Sequence, residues 1–529
     1  MIIDDALKIV GGYRIYHISL LIILTLLAFD FYSRQILLFV FVGWTPEFKC
    51  NYNTSQYNSS EDLDSCLRPS INNTGNGVEC DNGFQYFSEG YTSTTIEWNL
   101  VCSRKMLKVI SQMAYSLGIL FSSLVGNTLT DKFGRRFMCW ISHVFGVSLG
   151  IAISFSPNYE TFVVLRFFIA VAASNIINSS TTLLIELFDS ERRGLVGTIY
   201  QFGWIIGMGF LGITAYLIKD WRELALVTSI SPVIWIIVLW KLPESPIWLV
   251  ANNRIKEAQE FLKKAAKLNR VKILDENVFK IESKRISKIP DSSSIKLEFE
   301  NFKIELENNG IENSATTKYS MIDLFRDKYL LRHLAIMALL WFTNNTVYYS
   351  LMYSTPSLDG NRFVNYTFST FVEIPAYSVA TLAVVKIGRR IPTFIIVMLT
   401  SVSLLFVSIL PLILSEDPYL RNKLVLLFSL LGKFGSSASF STVVIYTNEL
   451  FPTNLRSTAQ GVANTVGQIG GMIAPICAEF IADKELNLIP LLFFTVLAFV
   501  AAIFTLLLPE TRNKPLPQTT KDIRFWYKK

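Results

Sequence analysis

The chain has 529 residues, 51% hydrophobic, 13% aromatic and only 17% charged, with a net charge of +7 at pH 7. A soluble globular chain carries about 25% charged residues. Here the apolar residues gather into stretches of about twenty or more, enough to cross a hydrocarbon core about 30 Å thick. A cytosolic enzyme, a secreted protein and a disordered hub are excluded, and the composition reads as an all-α polytopic membrane protein.

Met1–Arg14 is polar and the apolar stretch after it is too long for a signal-peptide core, so the first span is retained, with a cytosolic N-terminus. Helices are expected near 15–42, 106–129, 138–156, 160–184, 195–218 and 224–241, then near 331–354, 364–385, 392–414, 421–446, 458–482 and 488–508. The runs are continuous rather than alternating, which selects helices over barrel strands. Twelve transmembrane helices thus form two six-helix bundles, 1–241 and 331–511, joined by a cytosolic linker, 242–330, and followed by a cytosolic tail, 512–529. In the linker, Ile255, Ala258, Leu262 and Ala265 share one face of an amphipathic helix.

Between the first two spans, the loop 43–105 is acidic: residues 43–103 hold 2 Lys+Arg against 8 Asp+Glu, whereas residues 251–330 hold 16 against 13. Opposite sides of a membrane fit that contrast, and the short basic loops around Arg135 and Arg136 and around Arg389 and Arg390 weigh more than the long ones. No basic, aromatic-interleaved face exists for nucleic acid. The acidic loop also carries Cys50, Cys66, Cys80 and Cys102 beside glycosylation sequons at Asn53, Asn58 and Asn72, the pattern of an oxidised extracellular loop. Gaps of 16, 14 and 22 residues argue against a metal knot and leave three disulfide pairings open.

The two halves echo each other. Gly134-Arg-Arg136 recurs as Gly388-Arg-Arg390, Glu186-Leu-Phe-x4-Arg193 as Glu449-Leu-Phe-x4-Arg456, and Leu242-Pro-Glu-Ser245 as Leu508-Pro-Glu-Thr511, at offsets of 254, 263 and 266. Three ordered matches at nearly one offset indicate a duplicated unit in parallel orientation, with a substrate site near mid-membrane between the halves. Nucleotide-loop, HExxH, CxxC and GxSxG patterns are missing, so an ATP-driven pump or a membrane enzyme lacks support, and no cofactor or metal is expected. His17 and His333 stand alone at span beginnings, while His143, Cys139 and Cys477 lie within spans.

Asp131-Lys-Phe-Gly-Arg-Arg136 resembles the loop motif of the major facilitator superfamily, with Asn127 where that motif has glycine and Gly126 one residue earlier. Its chemistry is a charge latch in which a carboxylate and arginines at helix ends pair in one state and separate in another. Within the superfamily, the chain resembles the organic cation, anion and carnitine transporters. The resemblance rests on the cysteine-bearing first loop, Glu97-Trp-Asn-Leu-Val-Cys102, Pro243-Glu-Ser-Pro246, Tyr446-Thr-Asn-Glu-Leu-Phe-Pro-Thr453 and Leu508-Pro-Glu-Thr511. Gly432-Lys-Phe-Gly435 and Val372-Glu-Ile-Pro-Ala-Tyr377 are similar to the carnitine branch. The resemblance implies a plasma-membrane transporter of small organic ions, with a cation or carnitine-like zwitterion as leading substrate, sodium or proton as a possible coupling ion, and an organic anion exchanger as the alternative. A non-transporting membrane sensor or scaffold is the reading from another class, and the repeated gate motifs argue against it.

Ionisable groups within spans are costly and mark candidate sites. Arg166 stands at the superfamily's Arg-x-x-x-Gly position, with Ala170 for the glycine. Glu373 could face a cation one turn before Tyr377, and Lys433 could balance Glu373 or meet a carboxylate. Asp30 and Arg34 are spaced to pair with each other. Tyr115, Tyr200, Trp204, Trp341, Tyr348 and Tyr349 offer ring faces to ammonium groups, with ordinary packing as the plainer reading of each. Asn345 shares a face with Tyr348. Gln468 stands where the cation branch has aspartate and the other branches arginine, so no strong charge preference follows from it. Asp131, Arg135, Arg136, Glu186, Arg193, Arg389, Arg390, Glu449 and Arg456 are the expected gate residues.

Overall fold

A computed structural model describes residues 3–10, 14–51, 65–68, 78–80, 82–189, 192–271, 321–452, 455–482, 488–514, 517 and 522–523. Its twelve long rods are α1 (Ile15–Val42), α2 (Cys102–Phe133), α3 (Arg135–Ile153), α4 (Tyr159–Glu186), α5 (Arg193–Leu217), α6 (Trp221–Lys241), α7 (Lys328–Ser354), α8 (Arg362–Lys386), α9 (Arg390–Ile413), α10 (Pro418–Leu450), α11 (Arg456–Ala482) and α12 (Leu488–Thr505). All twelve expected spans are present, within a few residues of the expected ends.

Ten of these rods are long and apolar enough to cross a membrane; the two others, α7 and α11, are 27 residues each but more polar. That polarity has a place to go, because α7 and α11 pack most closely on each other. Gly467 and Gly470 permit it: a methyl group at either would fall 2.6 Å from the Asn345 amide nitrogen or 2.4 Å from the Thr346 hydroxyl. Large apolar side chains such as Leu124, Phe210, Ile213, Ile237 and Val385 point outward instead, as lipid-facing surfaces require.

The duplication read from the motifs recurs in the packing. Contacts α1–α5, α2–α4, α3–α4 and α3–α6 in the first half have counterparts α7–α11, α8–α10, α9–α10 and α9–α12 in the second. The halves meet through α2–α11 and α5–α8, which are likewise equivalent by the repeat. Gly118 and Gly126 let α2 pack against α4, an added methyl lying 2.4 Å from the Phe167 carbonyl at the first and 2.8 Å from Asn175 Oδ1 at the second, while Asn127 is exposed. The displaced glycine of the loop motif therefore takes part in that packing.

At one end of the molecule, here the loop end, β1 (Glu47–Cys50) pairs antiparallel with β4 (Phe84–Phe87), and β2 (Leu67–Arg68) with β3 (Val78–Glu79). The structure closes Cys50–Cys80 and Cys66–Cys102, with Cα separations of 5.8 and 5.7 Å, selecting the crossed pairing of the three. Asn53, Asn58 and Asn72 lie outside the described residues. Cys139 and Cys477 are free and buried.

The opposite end carries the linker. Its helix Ile255–Leu268 buries Ala258, Leu262 and Ala265 as expected, together with Phe261 and Ala266. Asn269 fixes it to the base of α1, accepting from the Tyr16 amide at 3.1 Å and donating to the Val10 carbonyl at 2.9 Å. The polar reading of Met1–Arg14 needs correction, since Ile3–Val10 is helical. Ala6, Leu7 and Val10 are buried on that helix, an amphipathic spacing too short to register beside the long apolar runs.

Candidate substrate site and gates

Glu373 sits where α8 is broken. Pro375 has no amide to donate to the Phe371 carbonyl, and the rod divides at Val372 into Arg362–Phe371 and Glu373–Lys386. The break turns the carboxylate into the protein interior, where Glu373 and Lys433 are 0% and 2% exposed. Tyr348 donates to Glu373 Oε1 at 2.7 Å and Tyr377 to Oε2 at 3.1 Å. Lys433 Nζ lies 3.0 Å from Oε1 and 3.1 Å from the centre of the Tyr348 ring. The ammonium is the ion-pair partner of the carboxylate and is seated on the ring face.

Tyr348 also accepts from Trp204 Nε1 at 2.7 Å. One phenol thus links α5 in the first half to Glu373 and Lys433 in the second. Sequence reasoning placed Glu373 one turn before Tyr377, offered Lys433 as a partner for Glu373 or for a carboxylate, and named Trp204 and Tyr348 separately; the structure brings all five together.

A second cluster surrounds Arg166, which is fully buried. Its guanidinium donates to the Gln35 carbonyl at 3.0 Å and to Gln112 Oε1, and lies 4.3 Å over the Tyr115 ring. Nε has no hydrogen-bond partner, and no carboxylate pairs with Arg166 among the described residues. Gln112 donates in turn to the Tyr353 hydroxyl across the halves at 2.7 Å, and Tyr353 stacks on Tyr349 with centroids 6.0 Å apart. Gln112 and Tyr353 went unread in the sequence, being uncharged residues inside long apolar runs.

The remaining candidates are placed differently. Asp30 pairs with Arg34 and accepts from Trp235 Nε1 at 2.7 Å. Tyr200 contacts the Ser180 and Thr181 hydroxyls at 3.1 Å inside the first half. Trp341 donates to Thr447 at 3.2 Å, Asn345 to the Trp341 carbonyl at 3.0 Å, and Gln468 to Asn464 at 3.4 Å. These last three line the α7–α11 seam rather than the Glu373 cluster.

At the linker end the duplicated motifs build the same object twice. Arg135 grips Glu186 with two hydrogen bonds of 3.0 and 3.1 Å, and Arg389 grips Glu449 with two of 2.8 Å. Glu244 accepts the backbone amides of Arg135 and Arg136, and Glu510 those of Arg389 and Arg390, at 2.9 to 3.1 Å. Each carboxylate thereby caps a helix N-terminus. Gly134 and Gly388, at φ 100° and 138°, make room for them, since a methyl group at either would lie 2.6 Å from a carboxylate oxygen. Glu244 and Glu510 were visible only as repeat letters.

Asp131 pairs with Arg135 at 2.9 Å and is largely exposed, so in this state the motif's ion pairs stay within each half instead of spanning the two. Arg136 donates to the Leu239 and Trp240 carbonyls, and Arg193 to those of Ile185 and Phe188 at the end of α4. Arg456 leaves Nε and one Nη without hydrogen bonds, and Arg390 its Nε, among the described residues.

The halves are closed against each other toward the loop end. Lys108 pairs with Glu479 at 2.5 Å, Tyr366 donates to the Met208 carbonyl at 3.3 Å, and Phe41 stacks on Phe363 at 5.7 Å. Beside the ion pair is a cleft of about 90 Å³ bordered by Phe39, Thr45, Tyr353 and Pro475.

A family model described as "Sugar (and other) transporter" matches residues 40–522. Organic anion transporter 3 of Oryctolagus cuniculus is 30% identical over 541 residues, covering 99% of this chain and 93% of that protein. Organic cation/carnitine transporter 2 of Homo sapiens is 31% identical over 449 residues, covering 83% and 73%. The xylose transporter of E. coli in an inward-open conformation superposes with a TM-score of 0.62 at 15% identity, over 96% of this chain and 99% of that one, a likeness of fold. Two six-helix halves, polar contacts between them and duplicated Arg–Glu motifs agree with these comparisons: the chain belongs to the sugar-and-other-transporter family of the major facilitator fold, among the organic cation, anion and carnitine transporters, and is a multi-pass membrane transporter of small organic substrates.

Proposed function

We propose that the substrate is a small zwitterion of the carnitine type, bound at the Glu373–Lys433–Tyr348–Tyr377 cluster and moved by alternating access across the plasma membrane. The observation that carries this is the count of buried charge. Among the described residues Glu373 and Lys433 cancel, Asp30 and Arg34 cancel, Lys108 pairs with Glu479 and Asp189 with Arg192, and Arg166 remains as the buried positive charge without an ion-pair partner. A plain monocation would have to take Glu373 from Lys433 and raise that excess further, at the high cost of unpaired buried charge. A zwitterion gives its ammonium to Glu373 and its carboxylate to Lys433 without changing the count. Tyr348 and Trp204 supply ring faces beside the ammonium.

The disulfide-linked loop supports an extracellular loop end, and the basic linker a cytosolic opposite end with both termini. In that orientation the structure is the state closed to the outside. The unpaired Arg166 charge favours an organic anion as the second reading.

The test is uptake of labelled carnitine, tetraethylammonium and p-aminohippurate into expressing cells, with and without sodium and with the membrane potential collapsed. Carnitine uptake above the other two, lost in Glu373→Gln, is the expected result. A zwitterion alone carries no net charge, so sensitivity to potential, about 2.3 kcal/mol per charge per 100 mV, would report a coupled sodium or proton. Uptake of p-aminohippurate alone would move the assignment to anion exchange, and uptake of tetraethylammonium alone would refute the charge count.

A further inference from the structure

At the loop end, a guanidinium lies among aromatic rings, outside ion-pair distance of any carboxylate among the described residues. Arg362, the first residue of α8, has its Cζ 3.5 Å from the Trp44 ring centre, 4.5 Å from Tyr91 and 4.8 Å from Phe363. Among the described residues no carboxylate lies within 4 Å of it, although Glu89 acts on it through space from beyond that distance. The contact joins the halves: Trp44 and Tyr91 belong to the first, Arg362 and Phe363 to the second.

The walls contributed by the first half are built in place. Thr94 donates to the Val42 carbonyl at 2.9 Å, just before Trp44. The Thr92 amide donates to the Lys219 carbonyl at 2.9 Å, its hydroxyl to Asp220 at 2.9 Å, and the Tyr91 hydroxyl to the Tyr216 carbonyl at 3.3 Å. When the halves part at the loop end, Arg362 and Phe363 leave with α8, and Trp44 and Tyr91 stay together. Lys219 Nζ, also of the first half, lies 5.5 Å from the Tyr91 ring centre and stays with it. The closer ring faces that Arg362 vacates, 3.5 Å from it on Trp44 and 4.5 Å on Tyr91, with Glu89 acting through space, suit an alkylated ammonium group.

We infer that Trp44 and Tyr91 form an outer docking site for alkylammonium groups, and that Arg362 is its tethered occupant in the closed state. An arriving ammonium competes with Arg362 and so favours the state open to the loop end. The inference needs only that this end opens, whatever solute is carried.

The full-length protein is titrated in detergent with tetramethylammonium and with neutral 3,3-dimethylbutan-1-ol of similar shape. Arg362→Gln removes the competitor and tightens tetramethylammonium binding roughly tenfold, about the worth of one exposed-to-buried cation–ring contact. Adding Trp44→Ala reverses the gain, Tyr91→Phe keeps it, and the neutral probe shows none of it. The gain persists in the Glu373→Gln/Lys433→Gln background, where the central cluster is disabled. No tightening in Arg362→Gln, an equal effect with the neutral probe, or loss of the gain in that background would overturn the docking site. Should Trp44→Ala fail to fold, Tyr91→Leu on Arg362→Gln decides in its place, because retained tight binding there also overturns it.

Discussion

Glu373→Gln removes the only carboxylate that compensates Lys433 within ion-pair distance among the described residues. At 3.0 Å and an effective dielectric of about 20, the direct attraction is about 5–6 kcal/mol, and breaking a buried pair on one side typically costs about 3–5 kcal/mol. The two single variants should differ. After Glu373→Gln, the ammonium keeps only the Tyr348 ring face, worth about 0.5–2 kcal/mol. After Lys433→Gln, the carboxylate keeps the Tyr348 and Tyr377 hydroxyls at 2.7 and 3.1 Å, each charged hydrogen bond contributing about 1.5–3 kcal/mol. Glu373→Gln is therefore the more damaging. The double variant, with neither charge, should recover most of the stability but not the uptake. Thermal unfolding of the solubilised protein and the fraction reaching the cell surface give the cycle. If the double loss equals the sum of the singles within about 0.5 kcal/mol, the pair is not coupled in the folded protein, and the charge count behind the zwitterion fails.

Tyr348→Phe removes both the acceptor for Trp204 and a donor to Glu373, at a cost of about 1–3 kcal/mol, and loosens the closed loop end. A cysteine placed near Trp44 should then react with an external thiol reagent up to roughly tenfold faster, and an unchanged rate would show that this phenol does not hold the halves. For Glu510, burial raises the carboxyl pKa, but the amides of Arg389, Arg512, Arg390 and Thr511 outweigh burial and hold it below the usual carboxylate range. Its stabilisation is thus complete above that range, about pH 4–5, and is lost as pH falls through the lowered value. Glu510→Gln should lower the melting temperature at pH 7 and flatten its fall on acidification, so a variant that keeps the wild-type acid slope would contradict the capping role. Non-reduced digestion should yield peptides joined Cys50–Cys80 and Cys66–Cys102, and any other linkage corrects the loop.

The fold was legible because long apolar runs and repeated motifs are local signals. Hydropathy marks ten of the twelve long helices, α7 and α11 being more polar, and the duplicated packing of α2–α4 and α8–α10 was announced by Gly134-Arg-Arg136 and Gly388-Arg-Arg390. Members of the central cluster were legible for a similar reason: an ionisable residue such as Glu373 or Lys433 stands out in an apolar run. The Glu373–Lys433 pair was one of the options read for Lys433, but the convergence of Tyr348 and Trp204 on it was not, since it depends on the break that Pro375 makes in α8 and on the Tyr348 hydroxyl meeting α5 and α8 at once. Gln112, Tyr353 and Arg362 escaped for the opposite reason. Their importance comes from partners 241 residues away for Gln112 and from the other half of the molecule for Arg362, and no spacing rule carries that information. The interlocked disulfides depend likewise on strand pairing across the loop, where Cys50 stands opposite Phe84.

The contacts within each half differ in kind from those between halves. Bidentate Arg–Glu pairs and carboxylate-capped helix ends, among the stronger polar interactions, lie inside one half or the other, so each moves as a body. Between the halves the structure places single hydrogen bonds from Gln112, Trp204, Ser116 and Tyr366, ring contacts of Phe41 and Arg362, and the Lys108–Glu479 pair. Each of these is worth about 0.5–3 kcal/mol, and opening the loop end exchanges most of them for water or for contacts at the other end. The difference between states then stays within the few kcal/mol that leave both populated. On the proposed reading, a substrate that re-pairs Glu373 and Lys433 would act on the same seam through Tyr348 and Trp204, so that a local exchange of charge partners would tip a rigid two-body equilibrium.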